Sequence, residues 1–275
     1  MTAPNPGRAA AQLPEQHAYF TRVNAGRFLA TAHVGGGWNP DEQHIAPAFG
    51  LLAHALEDHI NGELQLSRIS YDILGVLPLA EVEIDVTTLR PGRSVRLMQA
   101  RLIHNDRTAV IARAWFTQRY NTVNVAGSHI SPIAGPETMD AWDPSTVWPG
   151  GFVHTLDVRR TQREPGRATV WLRTQTALIA NKEVSTTARL LGLIDAANGM
   201  TPRTAPNEVA FPNIDLTVHL FREPRGDWIG CDTSVSFGAS GLGVTESTLH
   251  DTYGPIGTAV QSLTVRPDPT GPVSS

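Results

Sequence analysis

Residues 64–118 read LQLSRISYDILGVLPLAEVEIDVTTLRPGRSVRLMQARLIHNDRTAVIARAWFTQ. Four runs in this stretch, Leu64–Ile73, Ala80–Leu89, Ser94–Ile103 and Thr108–Gln118, are rich in β-branched residues or alternate apolar with polar, the period-2 signature of a strand. The breaks between them carry turn chemistry: Leu77-Pro78, Arg90-Pro91-Gly92-Arg93 and His104-Asn105-Asp106-Arg107.

The same grammar returns downstream. Asn213–Phe221, Asp227–Ser236, Gly243–Leu249 and Ile256–Val265 read as strands, with breaks at Arg222-Glu223-Pro224-Arg225-Gly226, Gly238-Ala239-Ser240-Gly241 and His250-Asp251-Thr252-Tyr253-Gly254. Pro78 and Pro224 stand 146 residues apart, as do His104 and His250, and one offset shared by two turns points to a diverged duplication. Each four-strand block follows a helical stretch. His44–Ile60 places Ile45, Phe49, Leu52, Ala53 and Leu56 at 3.6-like spacing, with Pro47 tolerated in the first turn. Ser185–Asn198 does the same with Ala188, Leu191, Ile194 and Ala197, and Gly199 is the expected stop. A strand pair precedes each helix: Ala18–Asn24 with Arg27–Val34, then Phe152–Arg159 with Ala168–Thr176 across the turn Glu164-Pro165-Gly166-Arg167.

Each half thus reads strand, strand, helix, four strands. The expected fold is α+β, a double hotdog in which each repeat wraps a mostly antiparallel sheet around one long helix; a pair of β-sandwiches is the alternative. The expected organisation is a tail at 1–15, a first repeat at 16–120, a linker at 121–150, a second repeat at 151–266 and a tail at 267–275.

Composition narrows the function classes. With 41% hydrophobic and 17% charged residues the chain suits a compact fold. A net charge of -4 without a dense Lys/Arg run argues against a nucleic-acid partner. No apolar run approaches the roughly 20 residues of a membrane-spanning helix, and the first residues lack the apolar core of a signal peptide. The single cysteine, Cys231, forms no intrachain disulfide and fits a cytoplasmic location; within a strand-like run it reads as a packing residue.

Three polar residues break their local patterns. Asp195 lies four residues after Leu191 and seven after Ala188, near the buried stripe of its helix, where a carboxylate needs a partner or water; the alternative is a carboxylate at the stripe's edge reaching solvent. Gln261 interrupts the apolar strand face of Gly257, Ala259, Leu263 and Val265, as a functional amide or as a core amide satisfied by backbone. Asn213 shares one face of an alternating strand with Asp215, Thr217 and His219, which equally describes a wet outer face or a turn former after Pro212.

The chain resembles the acyl-CoA thioesterase II family and related double-hotdog proteins. The resemblance rests on Arg68-Ile69-Ser70-Tyr71-Asp72-Ile73 and Leu89-Arg90-Pro91-Gly92-Arg93-Ser94 in the first half. In the second it rests on Ile194-Asp195, Asn213-Ile214-Asp215-Leu216-Thr217, Gly226-Asp227-Trp228 and Ala259-Val260-Gln261. It implies hydrolysis of an acyl-CoA by a water held by an Asp, a Thr or Ser, and a Gln. Asp195 and Gln261 fall on the first and third positions, and Asn213 stands where the family most often has Thr. Counting back by 146 from Asn213 and Gln261 reaches Ser67 and Trp115, so the second half is expected to carry the chemistry.

The expected mechanism has Asp195 deprotonating a water that Asn213 and Gln261 position, with backbone N–H groups near a helix start polarising the carbonyl. Gly36, Gly37 and Trp38, before the first helix, permit close backbone approach to a substrate, or form a plain flexible loop. No Gly-x-Ser-x-Gly elbow and no His-Glu-x-x-His motif occurs, so neither a covalent nucleophile nor a metal or other cofactor is called for. Two rivals remain: a hotdog hydratase or dehydratase using Asp41 with His44, and a non-catalytic acyl-CoA or lipid-binding module. The expected partner is the acyl-CoA substrate, with pairing into a homo-oligomer left open.

Overall fold

A computed structural model describes residues 17–60 and 62–267. In the first half, strands β1 (Ala18–Asn24) and β2 (Arg27–Ala30) precede helix α1 (Ile45–Ile60), and β3 (Gln65–Ile73), β4 (Glu81–Arg90), β5 (Val95–His104) and β6 (Arg107–Thr117) follow it. The second half runs through a short helix α2 (Gly151–His154), β7 (Leu156–Glu164), β8 (Arg167–Thr174), β9 (Ala177–Ile179), α3 (Thr186–Ile194) and α4 (Ala197–Met200). It closes with β10 (Asp215–Leu220), β11 (Ile229–Phe237), β12 (Leu242–Asp251) and β13 (Gly254–Thr264).

All strands join one sheet in the order β7-β8-β11-β12-β13-β10-β3-β6-β5-β4-β2-β1-β9. From β7 to β10, and from β1 to β3 read from the other side, the two halves have the same strand order, and they meet antiparallel at β10 and β3. The alternation seen in sequence is the reason: on β6, Val110, Ala112, Ala114 and Phe116 face inward while Arg113 faces out. Burial on α1 spreads beyond its expected stripe to Ala48 and Leu51 because the helix packs against the sheet and also against α3.

That helix contact depends on glycine. A Cβ on Gly50 would lie 2.7 Å from Ala188 O and 2.9 Å from Gly192 Cα. Gly50→Ala is therefore expected to destabilise the protein by about 1–3 kcal/mol, read as a lower urea midpoint; an unchanged midpoint would mean the helices separate freely.

Several local expectations need correction. The second strand ends at Ala30, because the Thr31 side chain accepts from His33 N–H (3.2 Å) and starts a 3-10 turn over Ala32–Val34. Phe152–His154 is helical rather than extended, held by Phe152 N–H donating to Gly35 O (3.0 Å). The second helix breaks at Asp195–Ala196. Gly199 sits inside α4 and does not stop it; its smallness seats Trp148, whose indole carbon Cε2 would lie 3.4 Å from an added Cβ.

The repeat offset also changes. The β5–β6 turn is Asn105-Asp106, both with positive φ (47° and 61°) as in a type I′ hairpin turn, and its counterpart between β12 and β13 is Thr252-Tyr253, 147 residues on. The strand counterparts of Asn213 and Gln261 are therefore Leu66 and Ala114, not Ser67 and Trp115. Their pairings agree: Asn213 opposes Leu263 as Leu66 opposes Phe116.

The expected tails at 1–15 and 267–275 lie outside the described residues, Pro267 apart. The segment between β6 and α2 packs on the second half: Trp171 Nε1 donates to Ala134 O (2.7 Å), and Trp148 is buried. Among the described residues no helix is long and apolar enough to cross a membrane. Cys231 is fully buried on β11, and burial pushes its thiol up to about 12, which leaves a packing residue with almost no thiolate.

Candidate active site

Asp195 is the C-cap of α3, and only 6% of its surface is exposed. Its Oδ1 accepts from Asn213 Nδ2 at 2.7 Å and from Gln261 Nε2 at 2.9 Å, so the three residues singled out in the sequence converge on one atom. Gln261 Nε2 also lies 3.4 Å from Asp195 O, and Asn213 Nδ2 is 3.0 Å from Asp215 O.

Asn213 reaches this point through a register shift. Along β10 the pairing is Thr217 with Val260, but Asn213 pairs with Leu263, one residue out of step. Val260 is exposed and Leu263 buried, so the shift turns Asn213 inward while Thr217 stays on the outer face. Strict alternation placed Asn213 on the outer face; the irregularity reverses that. Asn198 on α4, which sequence reasoning passed over, is buried and donates to Phe211 O (3.1 Å), two residues before Asn213.

His44, named in the sequence only with Asp41 in the hydratase or dehydratase reading, also faces the site. Its Nδ1 accepts from Ala46 N–H (3.2 Å), which caps α1 and leaves the ring proton on Nε2; the ring lies 4.2 Å from that of Phe152. Nδ1 also lies 3.8 Å from Asp195 Oδ2. This contact is not an ion pair. Burial pulls His44 down to about 4 and lifts Asp195 to about 6, the lift held back by the Asn213 and Gln261 hydrogen bonds, so between these values both groups are mainly neutral. Asp41, paired with His44 only in the rival hydratase or dehydratase reading, is exposed, and the carboxylate facing His44 is that of Asp195.

The lowered His44 value has a consequence for stability. The unfolded chain takes up this proton before the folded one, so stability is present above pH 6.5 and declines as pH falls through the window from 6.5 to about 4. The loss is at most about 3 kcal/mol. His44→Asn, which keeps an acceptor for the cap, is expected to shrink the Tm difference between pH 7 and pH 4.5. An unchanged difference would place the acid sensitivity elsewhere.

Gly36, Gly37 and Trp38 line a cavity of about 540 Å³ together with Asp195 and Asn213. This is within the usual size of small-molecule sites. Gly36 N–H is already committed to Glu42 O (2.8 Å), and a Cβ there would lie 3.0 Å from Asn39 O, so this glycine serves loop packing. Trp38 stands edge-on to Trp148 and Phe211, at 4.8 and 5.2 Å, making an aromatic wall. His44 and Ile45 bring the N-terminus of α1 into the same cavity. Both halves therefore build it.

The first half has no matching trio. Gly50 and Ala46 meet α3 as Gly192 and Ala188 meet α1, an offset of 142 that makes Ala53 the counterpart of Asp195. With Leu66 and Ala114, all three mirror positions are apolar and buried.

The family model of the acyl-CoA thioesterase N-terminal domain matches residues 34–117, and that of the C-terminal domain matches residues 132–265. No curated protein sequence matches the chain. A protein of unknown function with a hotdog fold from Alicyclobacillus acidocaldarius is similar at a TM-score of 0.72 and 13% identity, over 92% of this chain and 96% of that one. An acyl-CoA thioesterase II from Mycobacterium marinum is similar at a TM-score of 0.66 and 14% identity, over 93% and 96%. The TesB protein of Mycobacterium avium subspecies paratuberculosis is similar at 0.64 and 19%, over 90% and 96%. At these identities the structural likeness carries the fold, an α+β double hotdog.

Proposed function

The chain belongs to the acyl-CoA thioesterase family and is a thioester hydrolase; from that premise we propose that it hydrolyses an acyl-CoA to the free acid and CoA with water activated by Asp195. The observation that carries this reading is the asymmetry of the buried carboxylate. Asn213 and Gln261 both donate to Oδ1, while Oδ2 takes no hydrogen bond from the described residues and Asp195 lines the cavity. Oδ2 is thus the oxygen left to accept a proton.

With the thioester carbonyl at the N-terminus of α1, a water on Oδ2 attacks the carbonyl carbon as its proton passes to the carboxylate. The carbonyl oxygen becomes an oxyanion, stabilised by first-turn N–H groups of α1 such as that of Ile45 and by the positive end of the helix dipole. Collapse of the intermediate breaks the C–S bond, and the leaving sulfur takes the proton from Asp195, which returns the carboxylate. Asn213 and Gln261 hold the carboxylate's orientation throughout. Asn supplies the donor that a Thr hydroxyl would supply, so its presence is compatible with turnover. The aromatic and aliphatic wall of Trp38, Trp148, Ile45 and Met200 suits an apolar acyl group.

Thiol release measured across short, medium, long and aromatic acyl-CoAs tests the proposal. Saturable release with at least one class is expected. Binding of the panel with no thiol release from any member would replace hydrolysis with simple acyl-CoA binding.

A further inference from the structure

A helix start leaves four backbone N–H groups without partners inside the helix. At α1 three of the four are accounted for. His44 N–H donates to Val34 O (2.6 Å), Ala46 N–H donates to His44 Nδ1 (3.2 Å), and Pro47 has no N–H. Only the N–H of Ile45, a residue of the cavity wall, is left unbonded among the described residues. A hole for a tetrahedral oxyanion is built from several preorganised donors, so this helix start by itself is one short.

The further donor is carried by the capping residue. α3 is capped by a serine, Ser185, whose Oγ accepts from Ala188 N–H at 2.9 Å. α1 is capped instead by an imidazole, which uses Nδ1 for the cap and carries its proton on Nε2. The ring lines the cavity, Phe152 stacks beside it, and 19% of the side chain stays accessible. Nε2 meets no acceptor among the described residues and is not sealed off, in contrast to the buried, unpaired Nε of Arg160. Nδ1 stands 3.8 Å from Asp195 Oδ2, so Nε2 lies at most one ring-width further from the oxygen that takes the proton. A water on Oδ2 and the oxygen of the carbonyl it attacks fit that spacing. Burial pulls the imidazole down to about 4, so at neutral pH it donates without carrying a charge, and Asp195 is not tied up in an ion pair.

We propose that His44 is a catalytic residue whose Nε2–H, together with the N–H of Ile45, donates to the oxyanion formed when water attacks the thioester carbonyl. This rests on the hydrolytic reading of the cavity and adds a side-chain donor to it. His44 stabilises the oxyanion by a hydrogen bond and transfers no proton; the proton from water stays with Asp195 and passes to the leaving sulfur.

Asparagine and glutamine separate the two nitrogens of this ring. His44→Asn places an acceptor near Nδ1 and keeps the cap, but its amide does not reach the place of Nε2. His44→Gln, one methylene longer, brings an amide donor to the place of Nε2 and gives up the cap. In the full chain, His44→Asn is expected to lower kcat for thiol release about 100-fold, the lower end of the loss of one oxyanion donor, since Ile45 remains. Calorimetric titration with S-hexyl-CoA, a thioether with no carbonyl at the sulfur, should give a Kd within about twofold of wild type. His44→Gln should keep kcat within about tenfold of wild type at a lower Tm. A kcat of His44→Asn near that of wild type, an equal loss in both variants, or a loss that appears in the thioether Kd would overturn the assignment and leave His44 a helix cap. Where His44→Asn does not fold, His44→Gln decides alone, its retained kcat supporting the donor and a loss of about 100-fold overturning it. A wild type that releases no thiol from any acyl-CoA refutes the hydrolytic reading and this inference with it. Release abolished by Asp195→Asn and untouched by His44→Asn refutes this inference alone.

Discussion

Asp195→Asn is expected to lower kcat for thiol release by about 10²- to 10⁴-fold, the usual worth of a positioned general base, while leaving the protein folded and more stable above pH 6. The side-chain carbonyl of the introduced asparagine would still accept from Asn213 and Gln261 at the Oδ1 position. Its amide would stand where Oδ2 now takes no hydrogen bond from the described residues, on the side of the cavity. No hydrogen bond is lost, but no proton can be taken from water. Stability follows from the sign of the pKa change. Asp195 is raised from 3.8 to about 6, so the folded protein holds this proton more tightly than the unfolded chain, and stability declines as pH rises from about 4 to about 6. Beyond that window the ionised, buried carboxylate costs about 3 kcal/mol. Asparagine removes this cost, so a Tm several degrees above wild type is expected at pH 8 and a smaller gain at pH 4.5. The measurements are kcat on the best acyl-CoA and Tm at the two pH values. A kcat near that of wild type would end the assignment of Asp195 as the base.

The trio was legible because each member conflicts with its surroundings. A carboxylate on the stripe of Leu191 and an amide on the face of Ala259 and Leu263 need partners, and the partners prove to be one another. What sequence could not supply was the register shift that turns Asn213 inward, since it appears only when β10 lies beside β13. His44 was visible as a residue before a helix, but its approach to Asp195 depends on antiparallel packing of α1 and α3 through Gly50 and Gly192.

The strands and both long helices were readable for the same reason: their apolar periods are long enough to rise above chance. Elements that depend on distant contacts were not. β9 has only three residues and pairs parallel with β1, about 160 positions earlier, so no local pattern announces it. Phe152-Val153-His154 looks extended from its side chains, yet the Gly35 carbonyl fixes it as a helical turn. The duplication was legible and its offset slightly wrong, because His104 and His250 do not occupy the same place in their hairpins: His104 closes its turn opposite Arg107, whereas Asp251 closes the other opposite Gly254.

The corrected offset makes Gln261→Leu an informative substitution. Its first-repeat counterpart is Ala114, fully buried and apolar, so the fold itself makes no demand for an amide at this strand position. What Gln261 adds is a donor to Asp195 Oδ1, and that bond acts against the effect of burial on the carboxylate. Removing it takes a charge-assisted hydrogen bond from the ionised form. kcat/KM is expected to fall about 10- to 100-fold at pH 7, the range such bonds span. The acid limb of the kcat/KM profile, expected at about 6 in the wild type with a tenfold fall per pH unit below that, should move upward in the variant. Activity lost through Gln261→Leu should therefore recover in part at pH 8 to 9, which a merely misfolded site would not do. A profile that keeps its limb near 6 with kcat/KM within twofold of wild type would reduce Gln261 to a core amide. The same profile with a large uniform loss would instead assign it to placing the water rather than tuning the base.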